Sequence, residues 1–155
     1  MEGRERRCLL VKIVFGILGI ISGISIFVSF LHYKNYSAAI WGLLSAIFAS
    51  INLNLHVIYR RGALHLKHTP ESLRVVKLSG VILSIAALIA AAIYFILVGV
   101  YHEGYKIDGF APAGIFALLT LKWTVQLYFT GKKYEKFLRT SPGEMPAKGP
   151  YQSFE

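Results

Sequence analysis

Leu78-Ser-Gly-Val-Ile-Leu-Ser-Ile-Ala-Ala-Leu-Ile-Ala-Ala-Ala-Ile-Tyr-Phe-Ile-Leu-Val-Gly-Val-Tyr101 runs for 24 residues without a charged side chain. A stretch of that length and character matches the roughly 20 helical residues that cross the hydrocarbon core of a bilayer. Three further apolar runs accompany it, Leu9–Leu31, Ala38–Tyr59 and Phe110–Gly131. Backbone polar groups in hydrocarbon must be satisfied within their own segment, so the runs read as helices; the alternation of a transmembrane β-strand is absent. A chain of 155 residues, 55% hydrophobic, has room for one membrane domain and no second soluble one. The expected fold is an all-α membrane protein, a four-transmembrane-helix bundle over residues 1–138 with helices near 9–31, 38–59, 78–101 and 110–131. Residues 139–155, rich in Pro and Gly, read as a disordered tail. The basic segment Met1–Cys8 before the first run has the form of a signal-peptide start. The apolar stretch behind it is too long for an h-region and has no A-x-A-like exit, so it reads as a retained helix.

The net charge of +9 is a matter of topology. Arg4, Arg6, Arg7 and Lys12 lie before or at the edge of run one; Arg60, Arg61, Lys67, Arg74 and Lys77 lie between runs two and three; Lys132, Lys133, Lys136, Arg139 and Lys148 follow run four. Only Lys34 and Lys106 fall in the other two connections. The positive-inside rule then puts both termini and the middle loop, Arg60–Lys77, in the cytosol. A nucleic-acid partner is not expected, because no basic surface with its own fold exists. Cys8, the single cysteine, excludes a disulfide framework and reads as a reduced thiol, with palmitoylation the alternative at that juxtamembrane position.

Small residues recur along three runs: Gly19 and Gly23 in the first, Gly42, Ala46, Ala49 and Ser50 in the second, Gly80, Ser84, Ala87 and Ala91 in the third. Such faces let helices approach closely, within the chain or between copies of it. Asn35-Tyr36-Ser37 is a glycosylation sequon in a loop so short that it is expected to go unused.

Polar side chains inside the runs are the candidates for function. Asn52 and His56, four apart, share a helix face near the cytosolic end of run two. His56 reads either as an interfacial histidine bonded to its surroundings or as a ligand, since a neutral imidazole binds iron or copper well. Lys122, well inside run four and next to Trp123, either snorkels to the cytosolic face or turns inward to an anionic group. His102 sits at the outer end of run three, solvated or poised at a mouth, and His32 is a weaker case of the same kind. His65 and His68 lack the acidic or thiol companions of a metal site. Lys132, Lys133 and Tyr134 close run four, either as an aromatic belt with a positive stop or as a platform for an acidic, flat ligand. No Asp or Glu falls within a run, which argues against a carboxylate relay or an acidic cation-channel ring. No nucleophile elbow, HExxH or phosphate loop is present, so the chain is not expected to be an enzyme.

Read in order, Gly23-Ile24-Ser25-Ile26-Phe27, Ala38-Ala39 with Gly42, His56-Val57-Ile58-Tyr59, Leu121-Lys122-Trp123 and the aromatic–basic close of run four resemble the HRG (haem-responsive-gene) family of haem transporters, small four-helix haem permeases. The resemblance spans about Gly23 to Phe137. It implies movement of haem into the cytosol from outside the cell or from an acidic endolysosomal lumen. Haem is then the substrate, and there is no prosthetic group. The family's helix-two histidine, second exoplasmic-loop histidine and post-helix-four basic–aromatic motif fall on His56, His102 and Thr130-Gly131-Lys132-Lys133-Tyr134. That last segment departs from the family pattern Phe-Ala-Arg-Lys-Tyr in its first residues. A relay is implied in which His102 receives haem, His56 holds it, and Tyr134 with Lys132 and Lys133 guides it out, Asn52 and Lys122 being possible further contacts. Haem iron accepts His or Tyr, and its propionates suit lysines. Four helices are few to enclose a porphyrin, so a homo-oligomer is expected. Tyr151-Gln152-Ser153-Phe154 has the form of an endocytic sorting signal, which points to plasma membrane or endosome–lysosome and to sorting adaptors as partners. The competing class is a tetraspan scaffold or trafficking factor that transports nothing.

Overall fold

The structure, a computed structural model, describes residues 3–102 and 105–140, the side chains of residues 3–6 and of His65 excepted. It is all helix among the described residues: α1 Gly3–His32, α2 Tyr36–Arg60, the single turn α3 Leu64–Lys67, α4 Pro70–Val100 and α5 Phe110–Thr140. Four of these are long and apolar enough to cross a membrane, and the chain is a multi-pass membrane protein. Large apolar side chains stand exposed along α1 (Val14, Leu18, Ile21, Val28) and α4 (Ile82, Ile89, Ile96), the faces that hydrocarbon would solvate. The two sorting residues Tyr151 and Phe154 lie outside the described residues.

Local chemistry sets the helix ends, and two of them differ from the apolar runs. Thr69 caps α4, its hydroxyl accepting from the Ser72 amide at 3.2 Å, with Pro70 in the first turn. Proline there has a preset φ and no amide to waste. Thus α4 begins two turns before the apolar run at Leu78, inside the stretch read as middle loop. At the other end, α5 continues past Gly131 to Thr140, so the membrane-domain boundary drawn at 138 falls inside a helix. The cause is a buried stripe, Leu127, Gly131, Tyr134 and Leu138, that keeps helical spacing after the hydropathy has fallen. Leu138 and Tyr134 pack with Ile58, Leu64 and Leu73, so α3 and the first turns of α4 close a small core beyond the apolar runs. Gly62, at φ +67, ends α2 in the left-handed conformation that glycine adopts without strain.

The helices contact one another in the order α1–α2–α5–α4. Consecutive long helices alternate in direction, so the described ends of α1 and α5 and the α2–α4 connection share one end of the bundle, here called the basic end. Close approach within each pair rests on small residues. A Cβ on Gly23 would lie 2.8 Å from the Ala46 nitrogen, and one on Gly80 would lie 3.1 Å from the Thr124 carbonyl oxygen. Ser84 donates to Thr124 at 2.9 Å across the α4–α5 seam. Gly23, Gly42, Ala46, Ala49, Gly80, Ala87 and Ala91 are all buried inside the chain. The small-residue faces behind the expectation of a homo-oligomer are therefore spent on packing within one copy. At the opposite end, Asn35 is 7% exposed and fastens the two short connections: its Nδ2 donates to the carbonyls of Ile107 at 3.0 Å and Gly109 at 2.9 Å, while its Oδ1 accepts from the Ala38 amide.

Candidate functional site

Between α1 and α5, over the end of α2, the chain opens into a cleft of about 800 Å3 at the basic end. Its shape follows from where α1 and α5 meet. Phe30 contacts Phe116 edge to face at 5.0 Å toward the far end, and Gly19 lies so close to Trp123 that a Cβ would overlap the indole ring. Below that contact the two helices border the cleft from opposite sides, with Phe15 of α1 facing it from one and Phe129 of α5 from the other. Clefts of about 300–1,000 Å3 with apolar walls and a few convergent polar groups are the usual form of small-molecule sites.

His56 and Tyr134 sit together in this cleft. His56 is 3% exposed and Tyr134 2%. The imidazole Nδ1 and the Tyr134 hydroxyl share a hydrogen bond of 2.8 Å. Tyr59, one turn beyond His56, stacks on the Tyr134 ring at 4.6 Å and 18° and meets Phe137 edge to face at 5.4 Å. The remaining imidazole nitrogen, Nε2, is buried and without a hydrogen-bond partner. Buried polar atoms are seldom left so, and each that is asks for an explanation. Lys12 of α1 and Lys133 of α5 line the same cleft as the imidazole. Lys122 also lines the cleft, its ammonium 4.7 Å from the centre of the Trp123 ring.

Comparison with protein-family models, with curated proteins and with solved structures finds no match to this chain.

The candidates from the sequence divide three ways. His56, Tyr134, Lys133 and Lys122 converge on the cleft. Lys122 lines the cleft while its side chain stays exposed, which leaves both of its readings standing. His56 and Tyr134, read as successive stations of a relay, are instead hydrogen-bonded halves of one site. Lys132, Asn52 and His102 do not belong to it. Lys132, exposed on α5, does not line the cleft. Asn52 is buried one turn deeper, where its Nδ2 donates to the carbonyls of Phe48 and Trp123, both at 3.0 Å, and so ties α2 to α5. His102 is exposed just past the end of α4, at the opposite end of the bundle. No group of three or more His, Cys, Asp or Glu that could hold a metal ion occurs among the described residues.

Lys12, Phe15, Tyr59 and Gln126 are among the cleft residues that the sequence reading passed over. Tyr59 lies three residues after His56 and therefore on its face, a usable signal. Lys12 was absorbed into the charge bias, although it is the one charged residue of the first apolar run.

Proposed function

We propose that this chain is a haem transporter, carrying haem across a membrane towards the side on which its termini lie. The observation that carries the reading is the buried His56 beside the cleft, held at Nδ1 by Tyr134 and left without a hydrogen-bond partner at its buried Nε2. Metal-binding histidines are commonly fixed through their second nitrogen in this way, and haem iron takes histidine as an axial ligand. Iron at Nε2 needs the proton on Nδ1, which then donates to the phenolic oxygen. Tyr134 in this reading orients the ligand and does not itself bind iron. Phe15 and Phe129 offer apolar walls to a porphyrin face, and the lysines of the cleft offer partners for propionates. The resemblance of the sequence to the HRG family supports the same substrate. Fourteen basic residues on the side of the termini support a cytosolic basic end and delivery to the cytosol.

The test is haem-limited growth of a haem-synthesis-deficient cell expressing this chain, wild type beside His56→Ala at matched membrane levels. Rescue by wild type and its loss in the variant is the expected result. Failure of correctly delivered wild type to rescue would overturn the reading and favour a tetraspan scaffold.

A further inference from the structure

Three lysines with exposed side chains line the cleft and, among the described residues, no acid does. Lys12 stands on α1, Lys122 and Lys133 on α5, and neither Asp nor Glu among the described residues lines the space. The buried carboxylate of α5 is already taken: Glu135 pairs with Lys77 at 2.6 Å and with Arg139 at 3.0 Å. Lys12, Lys122 and Lys133 have no carboxylate partner among the described residues. Like charges gathered around one space repel one another, and each gains from an anion held between them. A lysine within an apolar run is retained against a cost that a partner or a wet cavity relieves. Lys12 and Lys133 line the cleft from α1 and from α5, so a single body bearing two anions can meet both. Between these charges the walls are apolar, with Leu9 and Phe15 on one side, Val125 and Phe129 on the other. A flat apolar body with two carboxylates on one edge satisfies both the walls and the charges.

We propose that Lys12 of α1, together with Lys133 of α5, recognises the two carboxylates of a porphyrin dicarboxylate, so that the charged edge is read independently of the metal and iron-free porphyrin is bound as well as haem. The class of ligand rests on the haem-transport reading; the role of α1 as the opposing wall rests on the cleft itself. Two separate readouts follow, the metal through His56 and the carboxylates through Lys12 and Lys133.

The test uses the full chain in nanodiscs of neutral phosphatidylcholine, titrated with haem, haem dimethyl ester and iron-free protoporphyrin. Lys12→Gln and Lys133→Gln should each weaken haem and protoporphyrin about tenfold, the scale of one charge-assisted hydrogen bond, while barely changing the ester. Lys12→Arg should restore most of the loss, and Lys136→Gln, an exposed change outside the cleft, should alter nothing. His56→Gln should abolish the axial-histidine spectrum of haem yet leave protoporphyrin within about twofold. Haem bound by wild type with Lys12→Gln indistinguishable from it would overturn the proposal and leave the transport reading standing. Equal sensitivity of acid and ester would also overturn it. Retention of acidic phospholipid that depends on Lys12, with porphyrin binding that does not, would reassign the lysines to a lipid headgroup. Failure of wild type to bind either porphyrin would overturn the proposal and the reading beneath it together.

Discussion

His56 on α2 and Tyr134 on α5, 78 residues apart in sequence, are joined by a hydrogen bond of 2.8 Å inside the protein. The bond engages Nδ1 and leaves the buried Nε2 without a partner, and in the transport reading it makes the phenol a positioning group. Tyr134→Phe keeps the ring that stacks on Tyr59 and removes only the hydroxyl. Loss of such a supporting bond typically lowers metal affinity about 10–100-fold. Haem affinity of Tyr134→Phe should fall by that order, with a displaced Soret band, whereas iron-free porphyrin should bind as to wild type. An unchanged haem spectrum and affinity would mean that Tyr134 does not orient the ligand.

Asn35 is spoken for by three hydrogen bonds, so its amide nitrogen is not free to carry a sugar in the folded protein. Peptide N-glycosidase treatment of the chain expressed in glycosylating cells should leave its gel mobility unchanged. Asn35→Ala removes the cap of α2 and leaves the carbonyls of Ile107 and Gly109 without their donor. A lost N-cap alone costs about 0.5–2 kcal/mol. Thermal unfolding in detergent should register at least that loss, and a wild-type midpoint would show that the clip contributes nothing.

The four spanning helices were legible because lipid enforces one rule on every residue of a run, and hydropathy reads that rule directly. The true ends were harder to read, since they are set by other signals. Thr69-Pro70 starts α4 by capping chemistry, and the stripe Leu127, Gly131, Tyr134, Leu138 carries α5 onward by periodicity. Both lie where hydropathy has already dropped. His56 was legible as a polar residue out of place in an apolar run. Its bond to Tyr134 was not, because it depends on how α2 and α5 are registered against each other, which the Asn52 to Trp123 bond and the small-residue seams help to fix. Lys12 was hidden in the charge bias: it counts among the basic residues gathered toward that end, and it also lines the cleft.

The glycines of the seams divide by what surrounds them. A Cβ on Gly23 would meet backbone atoms of α2 within 3 Å, and backbone cannot step aside as a flexible side chain can. Overpacking of this kind costs about 1–3 kcal/mol. Gly99, near the end of α4, has nothing within 4 Å of a Cβ, and replacing it removes only the conformational penalty of a helical glycine, about 0.5–1 kcal/mol. Gly23→Ala should lower the unfolding midpoint and Gly99→Ala should hold or raise it. The reverse order would place the α1–α2 contact elsewhere.

His102 and His56 lie at opposite ends of the bundle. His102 is exposed, with φ at +48, just past the last turn of α4, whereas His56 is buried at the cleft. A ligand held at His56 cannot at the same time meet His102 without large movement of α4 or α5, so the two histidines cannot both ligate one iron in this conformation. His102→Ala should therefore bind haem in the purified state with wild-type affinity and an unchanged axial-histidine spectrum. If His102 receives haem at the outer mouth, the same variant should still slow haem-limited growth at low external haem and regain the wild-type rate as haem is raised, because only the supply to the cleft is impaired. Loss of the cleft spectrum in His102→Ala would instead require the two ends to meet during the cycle, and the rigid packing of α4 on α5 through Gly80 and Ser84 would then have to break in transport.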